Sequence, residues 1–229
     1  MKTSFNFFLI FLISIYSYGN YILIPMDKDS QTNHLKAYGI AYWVLQNNLE
    51  VDWLLNYRGG SFLIKSINEI SSECIYRGVS FEILSNNDVN SILNSISSPS
   101  SNTDIIKLEK APKIAVYSPK NKQPWDDAVT LALTYAEIPY DLIYDDEILN
   151  DLLPMYEWLH LHHEDFTGQY GKFYRSFKNA SWYIEQKKLF EENAKNNGFS
   201  KVSHQKLEVA KKIKEYIAGG GFTFAMCSA

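Results

Sequence analysis

The chain has 229 residues, with 22 Lys+Arg against 26 Asp+Glu and a formal net charge of −4. At 46% hydrophobic and 21% charged residues its composition is ordinary for a globular protein, which excludes wholesale disorder. The slight acidity argues against a nucleic-acid protein, which needs a basic face for phosphates, and two cysteines are too few for a disulfide scaffold or a multi-Cys zinc ribbon. Aromatic residues reach 15%, with 16 Tyr and 13 Phe, so ring packing should fill much of the core.

Lys2 precedes an apolar run that is unbroken from Phe7 to Ile13 and extends to Tyr16. Ser17 and Gly19 then stand three and one residues before a cleavage point at Asn20. A positive start, a short apolar stretch and small residues make a secretory signal peptide over 1–19. The run is shorter than the roughly 20 residues of a spanning helix. The sequence thus predicts a periplasmic or extracellular protein with no membrane contact after cleavage. In that setting Cys74 and Cys227 are either free or joined in a disulfide.

Tyr21 to Ile24, stopped by Pro25, reads as a buried strand. A helix follows from about Asn33, with Leu35, Tyr38, Tyr42 and Leu45 at helical spacing. Val51 to Leu55 is the next strand, ended by Arg58-Gly59-Gly60. A helix over about Ile67 to Arg77 leads to a strand over Val79 to Leu84, and a short helix runs from near Asp88 to Ile96. Three strands separated by helices suggest a parallel sheet. Ser97-Ser98-Pro99-Ser100-Ser101-Asn102 is the best linker signal, and 101–110 is expected to link a lobe over 20–100 to a second over 111–229.

The pattern then restarts. Lys113 to Tyr117 is a strand, and Pro124 opens a helix striped by Ala128, Val129, Ala132, Leu133 and Ala136. Strands follow at Tyr140–Tyr144 and Trp158–Leu161, with a short helix near Glu147 between them. A polar and aromatic stretch occupies Glu164–Lys178. Helices run from about Trp182 to Asn197 and along Val209, Ala210, Ile213, Tyr216 and Ile217, the second stopped by Gly219-Gly220-Gly221. Phe222 to Met226 is the last strand. The expected fold class is therefore α/β, with mostly parallel sheet or sheets and helices on both faces. In such sheets ligands bind beyond the carboxyl ends of strands.

Two places carry candidate chemistry. Around Cys227 the small residues Ala225 and Ala229 meet the crowding of a nucleophile elbow, where backbone N–H groups hold an oxyanion and a helix dipole lowers a thiol pKa. A buried structural Cys at a strand end is the alternative. In His160-Leu161-His162-His163-Glu164-Asp165, His160 and His162 share a strand face, and structural packing beside aromatics is the simpler account of them than a metal site. His163 or Glu164, at the carboxyl end of that strand, suits a base or a substrate contact. No metal and no cofactor is expected. Asn179-Ala180-Ser181 matches a glycosylation sequon.

Several segments together resemble a known family. They are Ile22-Leu23-Ile24-Pro25-Met26-Asp27, Asn33-His34-Leu35-Lys36-Ala37-Tyr38-Gly39, Tyr57-Arg58-Gly59-Gly60, Ala115-Val116-Tyr117-Ser118-Pro119, the His160–Asp165 run and the terminal Gly-Gly-Gly-Phe…Met-Cys-Ser-Ala. The chain is similar along its mature length to secreted bacterial proteins commonly labelled asparagine synthetase B. Its second half resembles the class I glutamine amidotransferase-like, flavodoxin-like superfamily, including a ThuA-like sugar-utilisation branch that carries His where this chain has Cys227. The resemblance implies a Cys-dependent amidase or glutaminase step with Cys227 as nucleophile and a His–carboxylate pair, here His163 and Glu164, handling protons. Class I members take that pair from beyond the elbow, whereas this chain stops at Ala229, which reads as a truncation of a longer protein. Genuine asparagine synthesis is disfavoured, because no N-terminal Cys and no Ser-Gly-Gly-x-Asp-Ser loop is present. The other functional class is a non-catalytic envelope module that binds a small amide or sugar-like ligand, for which Phe166, Tyr170, Phe173, Tyr174 and Phe177 offer stacking rings.

Overall fold

The computed structural model describes residues 20–119, 128–162, 166 and 177–226. The chain divides into two compact units, one of residues up to Val44 together with Leu49–Glu109, the other of Leu45–Asn48 together with Lys110 onward. Among the described residues no helix is long and apolar enough to cross a membrane.

The first unit runs β1 (Tyr21–Ile24), α1 (His34–Gln46), β2 (Val51–Leu55), β3 (Ser61–Lys65), α2 (Asn68–Arg77), β4 (Glu82–Leu84), α3 (Asn86–Ile96) and β5 (Asp104–Leu108). Its sheet has the order β4-β1-β3-β2-β5, and every pairing is antiparallel. The β-α-β-β-α-β succession in the order 4-1-3-2 is the ferredoxin-like split β-α-β arrangement, extended by α3 and β5. Ile22, Leu23 and Ile24 are all at most 1% exposed. They alternate between two faces. Leu23, Leu54 and Leu63 pack with Val89 and Ile96 of α3, while on the other face Tyr38 of α1 meets the Phe62 ring edge-on at 5.4 Å.

This unit corrects the expected parallel sheet. The glycine pair after β2 does not merely end a strand; it reverses the chain into β3, a strand the sequence reading passed over. Asn56, Arg58, Gly59 and Gly60 all have positive φ, so the chain turns within five residues and Leu54 pairs with Ser61. β3 then lies between β1 and β2. The expected linker over 101–110 is corrected too. Its Asp104–Leu108 segment is β5, in full register with β2 from Val51↔Leu108 to Leu55↔Asp104. Its charged flanks and mostly solvent-facing residues are those of an edge strand, and they hide the apolar pair Ile105-Ile106 from a periodicity reading.

The turn is clamped from both sides. The Met26 N–H donates to the Arg58 carbonyl at 3.0 Å, and a Cβ at Gly59 would come within 2.4 Å of the Met26 carbonyl oxygen. The Arg58 guanidinium donates Nε to Asp27 at 3.0 Å, Nη2 to Ser30 Oγ at 2.8 Å and Nη1 to Glu82. Arg58 is held at φ 45°, ψ 49°, a conformation that costs a non-glycine residue on the order of 1 kcal/mol. The Ser30 hydroxyl, and with it Arg58, holds the Asp27 carboxyl below its ordinary range.

The second unit is different. It runs β6 (Ile114–Tyr117), α4 (described over Ala128–Ala136), β7 (Asp141–Ile143), α5 (Asp145–Leu149), β8 (Trp158–His162), α6 (Ser181–Asn196), α7 (Val202–Ala218) and β9 (Phe222–Met226). The sheet order is β7-β6-β8-β9, all parallel, so here the expected parallel α/β pattern holds. Ala115, Tyr117, Leu159 and Leu161 face Ile148 of α5 and Val209, Ile213 and Tyr216 of α7 in one core. Each of these large apolar side chains contributes about 1.5–3 kcal/mol by burial. The helix opening at Pro124 lies outside the described residues.

Two outcomes follow for the first unit. Gly59→Ala, which meets backbone at a positive φ, is expected to cost about 2 kcal/mol or more. Gly78→Ala, with φ +67 and nothing within 4 Å of the added Cβ, should cost about 1 kcal/mol; paired urea denaturation curves check the difference. A carboxyl lowered in the folded state stabilises above its unfolded pKa, and that contribution is lost as the pH falls through the lowered value. Arg58→Gln should therefore make the loss of stability below pH 3.8, the ordinary Asp value, shallower than in the wild type, as read by circular dichroism across an acid titration.

Candidate functional site

The carboxyl edge of the parallel sheet collects the ends of four strands. Tyr117 closes β6 beside Leu161 and Ile143, and Tyr144-Asp145 follows β7 directly. The backbones of β8 and β9 leave the sheet side by side, His162 opposite Met226.

The structure bears on the sequence-predicted residues as follows. His163, Glu164 and Cys227 lie outside the described residues. His160 is 4% exposed, mid-strand opposite Val116 and Phe224, and its ring stacks on Phe224 with centroids 5.7 Å apart. That is a core position. Among the described residues no group of three or more His, Cys, Asp or Glu is arranged to hold a metal ion. Phe166 stacks on Tyr117 at 5.2 Å, so this ring packs on the core rather than standing free for a sugar. Phe177 is exposed and lies 5.6 Å from the Trp182 ring, while Tyr170, Phe173 and Tyr174 fall outside the described residues. Cys74 is fully buried, and burial pushes its thiol up to about 12.

What the sequence reading missed is the charged cluster under the edge. Lys206 of α7 is buried, and its Nζ donates to Tyr117 Oη and Tyr144 Oη at 2.8 Å each and to Asp145 Oδ1 at 3.0 Å. The Tyr117 hydroxyl donates to the same Asp145 oxygen. The other Asp145 oxygen accepts from Gln205 Nε2 at 2.6 Å, and that amide also reaches Asn193 at 2.7 Å. Asp146 in turn accepts from Asn193 and Asn197, both at 2.7 Å. The ammonium lies 4.2 Å from the Tyr144 ring centroid and 5.3 Å from that of Tyr117, within the range where an aromatic face attracts a cation. Tyr117 and Tyr144 stack on each other at 4.9 Å.

The helix explains how a lysine arrives there. Lys206, Val209, Ile213 and Tyr216 follow i, i+3, i+7, i+10 spacing on one face of α7, and all four are buried. A Lys in the apolar stripe of an amphipathic helix is the signal that was available in the sequence, since such a residue is almost never buried unless paired. Its partner Asp145 starts α5, where an acid suits the positive helix end. The cluster ties α7 to the ends of β6 and β7.

Comparison with protein-family models, with curated proteins and with solved structures found no match to this chain.

Breaking one side of a buried ion pair strands the other charge and costs about 3–5 kcal/mol. Lys206→Met alone should destabilise the second unit by about that amount. Lys206→Met combined with Asp145→Leu should recover most of the loss, because a buried pair replaced by apolar residues is often neutral. Chemical denaturation of the two variants beside the wild type provides the check.

Proposed function

We propose that the second unit carries a Cys-dependent amide hydrolysis or transfer site at the carboxyl edge of its parallel sheet, in a protein exported from the cytoplasm. Cys227 is the nucleophile, and His163 with Glu164 handles protons. The carrying observation is the β8–β9 register, His162 opposite Met226. The residues that follow those two positions in the chain are His163-Glu164 and Cys227. The four-strand order, with β6 as the first strand laid down and β7 and β8 on either side of it, is the beginning of the flavodoxin-like 2-1-3-4-5 arrangement. This supports the likeness to class I glutamine amidotransferase folds.

The chemistry balances with few parts. The Cys227 thiolate attacks the carbonyl carbon of a small amide, and the charge collects on the carbonyl oxygen as an oxyanion. The C–N bond breaks as His163 gives its proton to the leaving nitrogen, leaving a thioester on Cys227. Water then loses a proton to His163 and attacks the thioester, and the acid and the free thiol leave the cycle complete. With an amine in place of water the same step is amide transfer.

Alkylation separates this reading from a binding module. With its pKa near 12, Cys74 should stay unlabelled by iodoacetamide at neutral pH. Cys227 should label with an apparent pKa below 7, as activated thiols do. Ammonia release from glutamine, asparagine and peptide amides should fall at least about 10²-fold in Cys227→Ser and in His163→Asn. A Cys227 that labels only above its unperturbed pKa of about 8.5, with no ammonia released from any of these amides, overturns the enzymatic reading.

A further inference from the structure

The opposite, amino edge of the parallel sheet holds a cavity of about 450 Å³, within the range of small-molecule sites. Its floor is apolar: Ile148, Leu153 and Tyr216 are all less than a tenth exposed. One wall is the backbone of Gly219-Gly220-Gly221, between α7 and β9. That wall carries no side chain for a steric reason. A Cβ on Gly221 would lie 2.2 Å from Cζ of the Tyr216 ring, so glycine lets the ring lie flat against the chain. The Tyr216 hydroxyl is spent on the Tyr156 and Phe222 carbonyls, which fixes the ring and leaves its apolar body to the cavity.

The rim is acidic. Asp151, Glu157 and Glu215 line the cavity against a single cation, Lys212. Lys212 is bound to Asp151, and Glu157 is bound to Lys110 and to the Lys113 backbone N–H. The Glu215 carboxylate makes no direct ion pair among the described residues, and it acts on Lys212 only at longer range. An apolar floor beside an aromatic ring, under a carboxylate that shares the one rim cation with Asp151, matches one ligand chemistry: a positive head on a flat apolar body.

We infer that this cavity binds a small organic cation, a primary amine with an aromatic or alkyl body. The body covers the Tyr216 ring and the Ile148–Leu153 floor, and the ammonium pairs with Glu215. The site is separate from the carboxyl edge and does not depend on the proposed amide chemistry.

Phenethylamine and its neutral counterpart phenethyl alcohol are the probes, titrated at low salt into the full chain by NMR or calorimetry. The amine should bind saturably and about three- to fivefold more tightly than the alcohol, the scale of an exposed ion pair. Glu215→Gln should reduce amine affinity to that of the alcohol and leave the alcohol unchanged. Lys212→Gln, which removes the competing cation, should tighten amine binding by a similar factor, and Cys227→Ser should leave it unaltered. Absence of saturable binding, equal affinity for amine and alcohol, or insensitivity of the amine to both rim variants overturns the assignment.

Discussion

The second unit depends on one buried cation. Taking an ammonium out of water costs several kcal/mol even after relaxation, and Lys206 is returned that cost only by a full set of partners. It has two tyrosine hydroxyls, a carboxylate and the faces of two rings. Those partners come from the end of β6 and the β7–α5 junction, segments 28 residues apart in the chain. The charge therefore sets where α7 sits against the sheet. Because α7 also supplies Val209, Ile213 and Tyr216 to the core, the position of the lysine and the apolar packing enforce each other.

A comparable constraint in the first unit is steric instead of electrostatic. The Arg58-Gly59-Gly60 turn presses against the backbone of Met26 so closely that no side chain fits at Gly59. The Arg58 side chain, fully engaged with Asp27, Ser30 and Glu82, offsets the cost of its own left-handed backbone. This gives a structural role to a motif that reads in the sequence only as the end of a strand. The guanidinium is matched by two carboxylates.

The parallel sheet has two edges with different chemistry. At the carboxyl edge the lysine cluster ties α7 to the ends of β6 and β7. At the amino edge an apolar floor, a glycine wall and surplus carboxylates form a recess. A parallel sheet has connections at both ends of every strand, so its two edges present different surfaces.

The sequence by itself determined most of the second unit. Helical stripes such as Val209-Ile213-Tyr216, the glycine stop at 219–221 and the apolar run Phe222–Met226 are local signals, and local periodicity specifies an element wherever it is found. It also marked Cys227, His163 and Glu164 by residue type and spacing, though spacing cannot supply a distance between segments 64 residues apart. Tertiary structure decided the rest. Whether Arg58-Gly59-Gly60 ends a strand or returns it as β3 depends on Met26, 32 residues earlier. Whether Asp104–Leu108 is a linker or an edge strand depends on a free edge of β2. Whether Lys206 is a wet lysine or a buried one depends on two tyrosines and an aspartate from other elements. In each case the free energy resides in a contact between distant segments, and only the folded chain brings those segments together.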